Sequence, residues 1–143
     1  MLAMGIEDIE RFVQEHFPQA VGFGRIEALD GDVLRMRLAV EPQHLRPGGT
    51  VSGPTLMTLA DTAIYYLVLS RIGPVPLAVT TDLHMHFLRR PRPEADLLAT
   101  AELLKLGRRL AVARVTVRSD GADAPVAHAT GTYAIPPQGA SST

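Results

Sequence analysis

The feature that most constrains this chain is a long apolar stretch, Pro54–Leu69, with glycine and proline on both sides of it. A turn rich in these two residues precedes it, and the run Gly73–Pro76 stops any helix that reaches it. The pattern predicts a helix from Pro54 to about Ser70 or Arg71, because proline at the first helical position loses no hydrogen bond. Since apolar residues occur on nearly every side of this helix, we expect it to be buried.

A single acid interrupts the apolar stretch. Asp61 is the only formal charge between Arg46 and Arg71. An ionised carboxylate is costly to bury unless something stabilises it, so acids in such places are candidates for chemistry. The alternative is a capped core helix whose one acid faces a partner or solvent. Spacing alone leaves both interpretations open.

The rest of the chain predicts one more helix and a set of strands. The helix is amphipathic, covers Ile6–Phe17 and ends at Pro18. Pro42–Gly53 is expected to be loop. The strands are predicted over Val21–Leu29, Val33–Val40, Leu77–Leu88, Asp96–Leu106, Arg109–Arg118 and Val126–Ile135. This order predicts an α+β fold, a mostly antiparallel sheet wrapped around one central helix.

Two of the strands show a clear period of two. In the second strand Leu34 and Met36 share one face, while Arg35 and Arg37 share the other, which predicts one wet side. In the strand after the long helix, the same period places alternate side chains on opposite faces of the sheet. One set is Val79, Thr81, Leu83, Met85 and Phe87, and the other is Thr80, Asp82, His84 and His86.

Length and composition indicate one domain. The 143 residues suit a single core, predicted over 21–136, followed by a flexible tail over 137–143. A net charge of −1 argues against a nucleic-acid partner, and the absence of cysteine excludes disulfides and thiol catalysis. The start lacks a basic region followed by an apolar run, and no apolar stretch is long enough to span a bilayer. We therefore expect a cytoplasmic protein with no membrane partner.

Four motifs occur in order along the chain. They are Gly49–Thr62, Thr80–Pro91, Gly107–Val112 and Ala127–Tyr133. Together they resemble the hot-dog fold, and most closely the phenylacetate-pathway (PaaI-type) acyl-CoA thioesterases, over roughly 21–136. The family pattern in the first motif is close to Gly-Thr-x-His-Gly-Gly, then small and apolar residues, then Ala-Asp-Thr. Ser52 and Pro54 replace the usual His and second Gly, and Arg46 stands near a position often held by a polar amide.

The resemblance implies an acyl-CoA thioesterase, which converts an acyl-CoA and water into a carboxylic acid and free CoA without a cofactor. Asp61 would be general base or nucleophile. The Gly53 N–H at the helix start would contact the thioester oxygen, and a hydroxyl near Thr80 would orient the water. In the family the acid faces an oxyanion site built by the partner subunit. We therefore expect a homodimer, or a homotetramer by resemblance only, and an inactive monomeric variant.

Further residues are candidates for contact with the substrate. Ser52 either caps the helix or bonds the ligand, and Thr80 and Thr81 either act in the site or merely fill the strand. Arginines at strand ends and turns suit CoA phosphates, although scattered surface arginines are equally common. The candidate substrate-binding residues are Arg46, Ser52, Pro54, Thr81, Arg89, Arg90, Arg108 and Arg109.

Three other functions fit these residues less well. His84 and His86 share a strand face, but only Asp82 accompanies them, so no metal is predicted. A hot-dog hydratase is disfavoured because no histidine lies between His44 and His84. The replacements at Ser52 and Pro54 keep open a non-catalytic acyl-CoA-binding or regulatory module. A pure binder, however, has little use for a buried acid.

Overall fold

In the computed structural model of the protein, which describes residues 2–137, an antiparallel sheet wraps around one long helix. The helices are α1 (Ile6–His16) and α2 (Gly53–Ile72), with short 3₁₀ turns at Pro18–Ala20 and Pro42–His44. The strands are β1 (Arg25–Asp30), β2 (Val33–Leu38), β3 (Leu45–Arg46), β4 (Thr50–Val51), β5 (Val79–Phe87), β6 (Leu97–Leu106), β7 (Leu110–Ser119) and β8 (Ala127–Ala134). Six of them form one sheet in the order β1-β2-β6-β7-β8-β5. The predicted α+β, hot-dog layout is confirmed.

Helix α2 lies at the centre of this arrangement, as its composition requires. The Ser52 Oγ accepts a hydrogen bond from the Thr55 N–H at its start, and Gly73, with a φ of +94°, ends it by donating to the Leu69 carbonyl. That φ lies in the region that glycine adopts most readily. Side chains on every side of α2 are buried, including Leu59, Ile64, Leu67 and Leu69. On the sheet, Leu34, Met36 and Leu38 of β2 are buried, which confirms their predicted inward face.

Two predictions of where strands and loops lie were wrong. The first strand starts at Arg25 instead of Val21, because Gly22 and Gly24 have φ values of +87° and +68° and turn the chain before the strand begins. The segment Pro42–Gly53, expected to be loop, contains a 3₁₀ turn and the small β3–β4 hairpin.

No helix in residues 2–137 is long and apolar enough to cross a membrane. The predicted flexible tail lies outside the described residues from 138 onward.

A β-bulge changes which way the start of β5 faces. Thr80 lies opposite Tyr133 of β8, while Asp82 lies opposite the next residue, Thr132, so Thr81 is the extra residue of a bulge. From Asp82 onward the strand alternates regularly. The prediction that Thr80 shares a face with Asp82 is therefore wrong, because the extra residue turns the Thr80 side chain toward α2.

Gly131 of β8 marks a point where the sheet approaches α2 closely. A Cβ at this position would lie 2.7 Å from Ile64 Cδ1 and 3.3 Å from Leu83 Cδ1. We predict that Gly131→Ala lowers the free energy of unfolding by about 1–3 kcal/mol in urea denaturation, because the core is overpacked. Ile64→Val removes the clashing methyl, so the double variant should lose less than the sum of the two single losses. Strict additivity would contradict this explanation.

Candidate active site

The Asp61 carboxylate lies at the edge of a cavity of about 420 Å³ between the end of α1, α2 and the start of β5. The residue is half-buried. The Thr80 hydroxyl donates a hydrogen bond to Asp61 Oδ1 at 2.7 Å, and the Tyr133 hydroxyl donates to the same oxygen at 2.8 Å. The aromatic rings of Phe17 and Tyr65 also line this cavity. The acid of the apolar helix therefore faces a cavity and is stabilised there by hydroxyl donors.

The bulge at Thr81 separates the two neighbouring threonines. Thr80 lines the cavity, whereas the Thr81 hydroxyl donates to the Thr132 carbonyl at 3.3 Å on the strand itself. Of the two threonines proposed from sequence, only Thr80 contacts Asp61.

The start of α2 leaves one backbone amide available. The Ser52 N–H donates to the His44 carbonyl, Pro54 has no N–H, and the Thr55 N–H is taken by the Ser52 Oγ at 3.2 Å. The next amide, of Leu56, bonds the Ser52 carbonyl. Within residues 2–137 the Gly53 N–H has no such acceptor, so it is the free donor at the positive end of the helix. Ser52 therefore caps the start of α2, which is one of the two roles predicted for it.

Gly53 also lines a second cavity, of about 580 Å³. Arg46, Arg89 and Arg90 line it together with the Phe87 ring, and no acidic side chain is among its lining residues. Arg89 also donates to the Pro125 carbonyl at 2.8 Å. Pro54 does not line this cavity and is exposed to solvent. Such a concentration of guanidinium groups suits an anionic ligand, phosphate above all.

The two halves of the candidate site are separate within one chain. From Gly53 to Asp61 the helix rises about 12 Å at 1.5 Å per residue. Asp61 lies beside Thr80 near the first residues of β5, while a Cβ at Gly53 would lie 3.5 Å from the ring of Phe87, the last residue of that strand. Acid and amide therefore lie at opposite ends of the same edge strand.

The remaining predicted residues lie apart from both cavities. Arg108 and Arg109 form the turn between β6 and β7, at the end of the sheet where β5 begins, since Leu110 and Val79 both lie opposite Ala134. His84 and His86 are exposed, with their Nε2 atoms 3.2 Å apart. Among the residues described, no group of three or more His, Cys, Asp or Glu side chains is arranged to hold a metal ion.

Tyr133 is the site residue that sequence reasoning missed. The motif Ala127–Tyr133 contains it, yet no role was assigned to it. Its position in an alternating strand indicates the buried face, where a tyrosine hydroxyl needs a partner. Burial first, and then the negative charge of Asp61, raise the pKa of Tyr133 well above its usual range. The phenol therefore remains a hydrogen-bond donor at physiological pH.

Comparison with known proteins assigns the chain to an enzyme family. The model of the thioesterase superfamily matches residues 48–125. The chain belongs to this superfamily and is a thioester hydrolase of the hot-dog, PaaI-type group. The enzyme class disfavours the alternative of a non-catalytic module.

Three similar proteins illustrate the relationship. A candidate thioesterase from Silicibacter sp. TM1040 is 47% identical, with a TM-score of 0.89 over 96% of this chain and 95% of that chain. A mutant form of the phenylacetic acid degradation protein PaaI from Thermus thermophilus is 29% identical, with a TM-score of 0.71 over 88% of this chain and 99% of that chain. A candidate esterase from Deinococcus radiodurans is 33% identical over 107 residues, covering 71% of this chain and 70% of its own length.

Proposed function

We propose that this thioester hydrolase acts on acyl-CoA, with Asp61 as general base or nucleophile and the Gly53 N–H as oxyanion donor. The proposal rests on the surroundings of one carboxylate. Asp61 lies in the aromatic-lined cavity and accepts hydrogen bonds from two hydroxyls, and it belongs to the same helix as the free Gly53 N–H. The arginine-lined cavity beside that amide suits the phosphates of CoA. No metal or cofactor is needed for this chemistry.

The carboxylate has two routes to the same products. As a general base, Asp61 takes a proton from water while the water oxygen attacks the thioester carbon; the C–S bond then breaks, and the proton passes to the CoA sulfur. As a nucleophile, an Asp61 oxygen attacks the carbon itself and expels the CoA thiolate; water then hydrolyses the anhydride that forms, which restores the carboxylate, and the proton released passes to the thiolate. In both routes negative charge develops on the carbonyl oxygen, where a backbone N–H is most useful.

We propose that the complete site forms between two copies of the chain. β5 is an edge strand of the six-stranded sheet, and its terminal residues Val79 and Phe87 are exposed apolar side chains. If two β5 strands pair antiparallel about a two-fold axis near Leu83, the first residues of one strand meet the last residues of the other. Asp61 would then face Gly53 of the partner subunit, which removes the separation of about 12 Å within one chain.

The same pairing would combine the arginines. Arg89 and Arg90 follow the last residue of β5, while Arg108 and Arg109 lie at the end of the sheet where β5 begins. An antiparallel two-fold brings these two ends together from different subunits. The phosphates of CoA could then be bound by guanidinium groups of both copies.

Removal of the acid tests the activity. We predict that Asp61→Asn and Asp61→Ala lower kcat by about 10²–10⁴-fold, because general acid–base contributions have this size. The measurement is CoA thiol release over a panel of aromatic and aliphatic acyl-CoAs, with unfolding midpoints to confirm that both variants fold. Wild-type kcat in Asp61→Asn would refute the role of the acid. Acyl-CoA binding by the wild type without turnover would instead indicate a binding module.

Two substitutions at one position test the oxyanion donor. Gly53→Pro removes the free N–H, and Ser52 already has the φ of −72° and ψ of 149° that proline requires of its predecessor. Both variants place a Cβ before Pro54, so any backbone cost of that Cβ is common to the two. Gly53→Ala keeps the N–H and adds a Cβ at ordinary contact distance from Phe87. We predict that kcat falls about 10²–10³-fold more in the proline variant than in the alanine variant. Equal losses would mean that the amide is not the donor.

Mixing two inactive variants tests the shared site. Co-expressed Asp61→Asn and Gly53→Pro chains form mixed dimers in which one site carries both substitutions and the other carries neither. We predict recovery of about a quarter of wild-type activity, since half of the dimers are mixed and each has one intact site. If acid and amide act within the same chain, each site keeps one defect and mixing restores nothing.

A further inference from the structure

The hydrogen bonds to the Asp61 carboxylate are markedly asymmetric. The Tyr133 and Thr80 hydroxyls both donate to Oδ1, at 2.8 Å and 2.7 Å. Among residues 2–137, no group donates to Oδ2. The Tyr133 hydroxyl also lies 3.2 Å from the Asp61 backbone carbonyl oxygen. One carboxylate oxygen is therefore bound by the protein, and the other is left for chemistry.

The phenol that makes this contact is itself held firmly. Tyr133 is 4% exposed, and its ring stacks on Tyr65 with centroids 5.7 Å apart and an interplanar angle of 20°. It lies in β8 between β7 and β5, directly opposite Thr80. Thr80 and Tyr133 form one cross-strand pair. The bulge that follows Thr80 turns its side chain toward α2, so the two hydroxyls of this pair reach the same carboxylate oxygen. A side chain that is packed in this way can fix the rotation of the group that it bonds.

We propose that Tyr133 is a positioning residue for the hydrolysis: together with Thr80 it anchors Oδ1 of Asp61, so that Oδ2 is the oxygen that takes the proton from water or attacks the carbonyl. The inference rests on the proposed role of Asp61. Tyr133 acts through the carboxylate and does not contact the reacting atoms. The orientation of the carboxylate toward the substrate is thereby fixed.

The kinetic test compares two tyrosine hydroxyls in the same chain. Tyr133→Phe keeps the stacked ring and removes the donor, while Tyr66→Phe is a matched control, since Tyr66 is buried against α1 in a different cavity. We predict that kcat falls roughly tenfold or more in Tyr133→Phe, because hydrogen bonds to charged groups are strong, while KM changes little. If Tyr133→Phe and Tyr66→Phe have the same kcat, the proposal is wrong.

A readout that needs no turnover separates this proposal from the proposed function. In protein labelled with ¹³C at the aspartate carboxyls, the Asp61 resonance is assigned from its loss in Asp61→Asn. At one fixed neutral pH its chemical shift should change in Tyr133→Phe, which removes one hydrogen bond to Oδ1, and remain at the wild-type value in Tyr66→Phe. Absence of thiol release in the wild type would overturn the proposed function alone. An unchanged Asp61 resonance in Tyr133→Phe would overturn the positioning role, whatever the activity.

Discussion

The rest of the structure depends on the burial of one helix that is apolar on nearly every side. Such a helix cannot lie on a flat sheet, because one half of its surface would remain in water. The six strands therefore curve around α2, and their inward side chains cover it. A sheet that wraps a helix without closing must end in two edge strands, here β1 and β5. The fold thus produces both a protected core and an open edge next to the only acid of that helix.

Placing an acid in this helix has a cost that the sheet offsets. A half-buried carboxylate loses part of its hydration, and a hydroxyl that donates to it restores part of that loss. Thr80 can donate only because the bulge at Thr81 turns it toward α2. A regular strand would have directed the Thr80 side chain to the outer face and left Tyr133 as the only donor. One extra residue in an edge strand therefore determines how the carboxylate is held.

The sequence predicted best what local composition controls. The limits of α2 agree within about one or two residues, because Ser52, Pro54 and Gly73 act on the backbone beside them. The inward face of β2 followed from strict alternation. The start of β1 was misjudged because Gly22 and Gly24 lie within a stretch that otherwise resembles a strand. The bulge and the Tyr133 contact could not be found in this way, since they depend on the register between β5 and β8, which are remote in sequence.

The distance between the acid and the amide on α2 has an electrostatic reason of its own. The positive field at a helix start falls off within about one turn, and an acid placed there would be attracted to the free amide and neutralise it. At about 12 Å from Gly53, Asp61 is too far away to do so. Within one chain, the helix therefore keeps an unoccupied donor at its start and an ionisable acid near its middle, and neither quenches the other. In the proposed dimer a bound thioester would lie between the two groups, so that its carbonyl oxygen accepts from the amide of one copy while its carbon faces the carboxylate of the other.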